Sequence, residues 1–226
     1  MLCSILFTLT LGACPQPTSA HDAVLMLSGI PSADAVAVNP QGAPMVAMSS
    51  LGGGVARVVA RGSTKLLVET SGRPAGLAFD RAGDLYVTDR QLGALFKVTP
   101  WGHLLAWTEG MKAPEGVAVG NAGEVYVVDA GASRVYRVSP DGQRTVLVSD
   151  LSGPRGIVMA ADGRRMFVSD GATVWQFAPD GTGKRRFAAL ADRGVPAVMA
   201  LDEQGRLYVA RDGGGKVSVL AEGQAL

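Results

Sequence analysis

Pro114-Glu115-Gly116-Val117-Ala118-Val119 leads through a turn at Gly123 into Glu124-Val125-Tyr126-Val127-Val128-Asp129. Arg134-Val135-Tyr136-Arg137-Val138 and Arg144-Thr145-Val146-Leu147-Val148 follow directly. Runs of this length, rich in Val, Tyr and Leu and bounded by Gly, Asn, Asp and Pro, read as four strands, the first of them Gly116-Val117-Ala118-Val119. Val125 and Val127 fall on one face of the second run, and Tyr126 and Val128 on the other. Both faces are apolar, as a sheet covered on both sides requires. The link Ser139-Pro140-Asp141-Gly142 is a tight turn, because Pro presets φ and Gly accepts a positive φ. It recurs as Thr99-Pro100-Trp101-Gly102 and Ala178-Pro179-Asp180-Gly181.

The whole unit recurs. Pro74-Ala75-Gly76, Pro154-Arg155-Gly156 and Pro196-Ala197-Val198 open further copies at a spacing of about 40 residues. Ala33-Asp34-Ala35 opens a worn one. The turn glycines Gly42, Gly83, Gly123, Gly163 and Gly205 keep step, as do Asp89, Asp129, Asp170 and Arg211 at the end of the second run. A fixed period with several short strands per unit predicts an all-β fold, a β-propeller of four-stranded blades. Five blades are counted, and six stays open. The last copy shows only three strands, at 198–201, 206–210 and 216–220. Ala23-Val24-Leu25-Met26-Leu27, ahead of the first copy, resembles an orphan fourth strand. The ring is therefore expected to close by pairing of this N-terminal strand with 216–220, which would protect two edges.

Of the 226 residues, 47% are hydrophobic, enough for a substantial core in one propeller domain spanning 21–226. The formal charge is +1, and Lys184-Arg185-Arg186 is the only dense basic patch. One short cluster is a poor footprint for nucleic acid, so no nucleic-acid partner is expected.

Residues 1–20 are a different material. Met1 to Ala13 is apolar and uncharged, too short to span a bilayer, and leads into Leu11-Gly12-Ala13-Cys14. That tetrapeptide resembles a bacterial lipobox, which would make Cys14 a lipidation site and a means of membrane attachment. A competing cut follows Thr18-Ser19-Ala20, a pattern suited to ordinary signal peptidase. Both readings predict export, to a periplasmic, membrane-anchored or extracellular location. Cys3 and Cys14 are the only cysteines, so the mature domain is expected to fold without an internal disulfide.

The unit from Pro114 to Val135 closely resembles an NHL repeat. The last copy, from Met199-Ala200-Leu201-Asp202 through Gly205-Arg206-Leu207-Tyr208-Val209-Ala210, is similar to the gluconolactonase (senescence-marker-protein) family. The resemblance implies a propeller, usually six-bladed. It also implies a calcium-like divalent cation held at the channel top by residues in the middle of the opening triplet: a Glu in the first blade, an Asn and an Asp in later ones. The equivalent positions here are Asp34, Ala75, Glu115, Arg155 and Ala197. Arg155 stands where the resemblance implies Asn, and Ala197 where it implies Asp. A hard cation needs several oxygen ligands, so no metal and no cofactor is expected, with the divalent cation as the alternative.

Asp34, Glu115 and Arg155 are thus the candidate binding residues, predicted at one channel mouth. Arg155 suits a carboxylate or phosphate. The structural alternative is a Glu115–Arg155 ion pair that seals the channel. Asp89, Asp129 and Asp170 are expected to accept hydrogen bonds from the following turns. No catalytic residue is assigned. His21 and His103 are the only histidines and are placed apart, and no serine has an adjacent base. Gly52-Gly53-Gly54 and Gly213-Gly214-Gly215 read as hairpin turns, since neither opens a helix with a following Lys-Ser or Lys-Thr. Packing is expected for Trp101, Trp107 and Trp175, with Trp101 also open as a contact point. Two function classes follow. The favoured one is a monomeric, non-catalytic binding propeller for a small anionic ligand or a protein partner; the other is a diverged lactonase-like hydrolase.

Overall fold

A computed structural model describes residues 33–49, 53–60, 63–190, 195–202, 204–212 and 217–220. Five antiparallel sheets follow one another along the chain. Blade one holds β1 (Ala33–Val38), β2 (Pro44–Met48), β3 (Gly54–Ala60) and β4 (Ser63–Glu69). Blade two holds β5 (Pro74–Phe79), β6 (Leu85–Asp89), β7 (Ala94–Val98) and β8 (Leu104–Thr108). Blade three holds β9 (Pro114–Val119), β10 (Val125–Asp129), β11 (Arg134–Val138) and β12 (Arg144–Val148). Blade four holds β13 (Pro154–Met159), β14 (Met166–Asp170), β15 (Thr173–Phe177) and β16 (Arg185–Ala189). Blade five has three described strands, β17 (Val195–Leu201), β18 (Leu207–Asp212) and β19 (Val217–Leu220). The protein is an all-β propeller, with a single 3-10 turn at Ala130–Ala132 as the helical element among the described residues.

The alternation read in blade three decides how the blades pack. Val125 and Val127 join Tyr86, Leu95 and Met111 of blade two, while Tyr126 and Val128 join Met166, Val168 and Phe177 of blade four. Met45 and Val55 of blade one pack on Leu85, Val87 and Phe96. Phe167 and Val174 of blade four pack on Leu207, Val209 and Leu220 of blade five. Each second strand is buried along its length in blades two, three and four, which is why its first three residues are apolar on both faces and its last is a hydrogen-bonded Asp. The four clusters fill the four successive interfaces from blade one to blade five. No such cluster joins blade five to blade one among the described residues.

The strand-end carboxylates hold blades two, three and four together. Asp129 is fully buried and accepts from the backbone N–H groups of Lys112 (2.9 Å), Ala113 (2.9 Å) and Ala132 (3.1 Å). Asp170 accepts from Ser152 and Gly153, and its other oxygen takes the Trp175 indole N–H at 3.1 Å. Asp89 accepts from Arg73, Gln91 and Leu92. Asp89 and Asp129 bind the following turn, as expected. All three also bind the segment that enters their own blade, which makes them clamps rather than a shared site.

The other structural expectations divide. Trp107 meets Tyr86 edge-on at 6.1 Å and lies under Lys97, and Trp175 lies under Lys184, so both pack. Trp101 does not: at 84% exposure it projects from the β7–β8 turn. His103 is exposed. The leader at 1–20 with Cys14, the strand at 23–27 proposed for ring closure and the Gly213–Gly215 turn lie outside the described residues.

Candidate functional site

A backbone irregularity places the site residues. In every blade the register of the first strand on the second shifts at the opening triplet. Ala33 pairs with Met48 and Ala35 with Ala47, which leaves Asp34 between them without a partner. The shift falls likewise across Ala75, Glu115, Arg155 and Ala197. A bulge of this kind bends the strand and re-aims a side chain. Asp34, Ala75, Glu115 and Arg155 accordingly line one cavity of about 340 Å³, which Val198 of blade five also lines.

The bulge also explains the glycine that ends the triplet. A Cβ on Gly76 would lie 2.3 Å from the Glu115 carbonyl oxygen, and one on Gly116 would lie 2.5 Å from the Arg155 carbonyl oxygen. Glycine therefore lets the backbone of each site residue seat against the preceding blade. Thr88, itself fully buried, completes the joint: it accepts from the Gly76 N–H at 2.8 Å and donates to the Glu115 carbonyl. Ser169 accepts from the Gly156 N–H at 2.8 Å in blade four.

Sequence reasoning missed one member. Arg90, just past the end of β6, lines the same cavity, and its Nη2 lies 2.6 Å from Glu115 Oε2. Glu115 thus pairs with Arg90 of the preceding blade, a partner that the sequence reading did not name. Arg155 also acts on the Glu115 charge. The missed signal was slight: the residues after the other strand-end aspartates are Ala130 and Gly171, so Arg90 breaks the repeat with a charge.

Burial pushes the Glu115 carboxyl above its ordinary value. Arg90 and Arg155 pull it back in part, and the Asp34 carboxylate adds to the rise. Two further atoms of the site are sealed from solvent without a hydrogen-bond partner: Asp34 Oδ2 and Arg90 Nε. The mouth therefore brings two carboxylates and two guanidinium groups together, three of them on innermost strands and Arg90 from the turn after β6. Such a set can hold an anion by charge-assisted hydrogen bonds.

Fold and mouth together define a β-propeller with an ionic pocket at one end of its axis. The family model for the SMP-30/gluconolactonase/LRE-like region matches residues 96–226, more than half of the chain. The chain belongs to that family. Virginiamycin B lyase from Staphylococcus aureus superposes with a TM-score of 0.69 at 16% identity, over 82% of this chain and 65% of that one. The chain thus spans just under two thirds of that enzyme's length. A nidogen/laminin complex gives 0.69 at 23% identity over 78% and 73% of the two chains. A streptogramin B lyase gives 0.70 at 14% identity over 88% and 72%. At these identities the likeness is one of fold. No curated protein sequence matches the chain.

Proposed function

We propose that the protein is an exported, non-catalytic propeller that binds a small anionic ligand, or an acidic group on a protein partner, at the channel mouth. The observation that carries this reading is the presence of Arg90 and Arg155 in one small axial cavity. A volume of about 340 Å³ suits a small molecule. The fold serves binding and catalysis alike: its neighbours here include lyases and a nidogen/laminin complex. Export rests on Leu11-Gly12-Ala13-Cys14 and Thr18-Ser19-Ala20, with attachment through Cys14 or release after Ala20.

Family membership favours one other reading, a metal-dependent hydrolase of the gluconolactonase type. The donor set fits a cation poorly. One carboxylate, Glu115, is already held by Arg90, and Arg155 adds like charge to the cation. Among the described residues no three His, Cys, Asp or Glu side chains group as a metal site would need.

The two readings separate in one set of measurements. Titration with inorganic phosphate and small carboxylates, followed by NMR, should show binding that Arg155→Ala weakens while far-UV circular dichroism stays unchanged. Stoichiometric calcium after purification in that ion, with lactone hydrolysis abolished by Asp34→Ala, would establish the hydrolase instead.

A further inference from the structure

The Arg90 guanidinium is a fork used on one prong only. Its Nε–H and one Nη2–H point the same way along one edge of the planar group, spaced to meet the two oxygens of a carboxylate. Glu115 Oε2 sits on Nη2 at 2.6 Å, yet Nε has no acceptor and no contact with solvent. A buried donor left without a partner is costly, and such an atom calls for an explanation. Glu115 is tethered by a bulged strand whose own carbonyl is fixed by Thr88, and it meets the fork with one oxygen. A free ligand has no such tether and can meet both prongs.

We propose that Glu115 is a built-in stand-in for the ligand, and that the ligand is a small carboxylate which takes Nε and Nη2 of Arg90 together and displaces the Glu115 side chain. This rests on the reading of the mouth as an anion site and adds the ligand's chemistry, its anchor and the group it must expel. A planar carboxylate matches the fork, and Arg155 lines the same cavity to complete its charge balance. Arg90 is then the specificity-determining residue, because a lysine there would keep the charge and lose the planar two-pronged geometry.

The test uses acetate, propionate and benzoate as probes, titrated into the full chain and four variants. Glu115→Gln should strengthen carboxylate binding by about tenfold, the order of one charge-assisted hydrogen bond no longer contested. Arg90→Lys should weaken it by at least as much. Asp34→Asn removes the same unit of charge from the same cavity but leaves the fork occupied, so its gain should be clearly smaller than that of Glu115→Gln. Equal gains from Glu115→Gln and Asp34→Asn would overturn displacement in favour of simple charge. Unchanged binding in Glu115→Gln and Arg90→Lys, with Arg155→Ala still weakening it, would also overturn displacement and leave the anion site standing. If no carboxylate or phosphate binds either wild type or Glu115→Gln, the anion site itself fails, and this inference with it.

Discussion

Asp129→Ala should destabilise the propeller more than truncation of its blade-two counterpart Asp89. Asp129 is fully buried, and its two oxygens accept three backbone N–H groups at 2.9, 2.9 and 3.1 Å. A hydrogen bond to a charged group contributes about 1.5–3 kcal/mol. The N–H groups belong to segments that water can partly reach once the side chain is gone, so the lower end applies, and the loss comes to roughly 4 kcal/mol. For a domain of this size that corresponds to a Tm lower by about 8–16 °C. Asp89→Ala supplies the contrast. Asp89 Oδ1 also accepts three N–H groups, but Oδ2 is buried without a partner. Truncation there removes an uncompensated oxygen together with the three bonds, so about half the loss is expected. Asp141, exposed in the β11–β12 turn, should show no measurable shift on truncation. Thermal unfolding followed by far-UV circular dichroism, with urea midpoints as a check, ranks the three. A Tm change below about 3 °C for Asp129→Ala, or an Asp89 effect as large as that of Asp129, would refute the clamp reasoning.

Two further predictions concern charge and address. Burial raises the Glu115 carboxyl in the folded protein, so its protonated form favours folding. That contribution is present below the unfolded value and fades as pH rises from 4.5 through the raised value. Glu115→Gln should flatten this segment of the stability–pH profile, whereas a slope of opposite sign in the wild type, measured by urea midpoints, would contradict the stated balance. Intact-mass analysis of membrane and soluble fractions should find a mature N-terminus at Cys14, lipidated, or at His21; intact Met1 on cytoplasmic material would rule out export.

The fold was legible because a propeller blade is buried on both faces and turns at fixed offsets. Those two demands write a period, apolar runs and turn glycines into the chain. β11 and β12 were read with their boundaries correct, since each is framed by turn residues. β9 begins two residues earlier than a reading from Gly116, because the bulge hides Pro114 and Glu115 from the alternation. The site was legible to the same extent as the repeat: Asp34, Glu115 and Arg155 share a position in the unit and therefore share a place in space. Arg90 shares no such position. Its pairing with Glu115 spans 25 residues and two blades, and no local pattern encodes a contact of that kind.

The glycine that ends the triplet in blades two, three and four bears on how firmly the mouth is held. Gly76 and Gly116 let the next blade's backbone come within a distance that no Cβ would permit. Blade five has Val198 at that position, and blade one has Ala35. Innermost strands pack side by side from β1 to β5, β9, β13 and β17, but β17 does not pack on β1 in this way among the described residues. Exposure follows suit. Tyr86 and Tyr126, which face the next blade, are buried at 3% and 1%, whereas the equivalent Tyr208 is only half-buried and Val36 of β1 is 39% exposed. The walls that carry Arg90, Glu115 and Arg155 are therefore locked by close backbone contact and filled cores, and among the described residues the wall that carries Asp34 shows such packing towards blade two. The anionic ligand proposed for Arg90 and Arg155 would then meet a preformed surface, which lowers the ordering cost of binding.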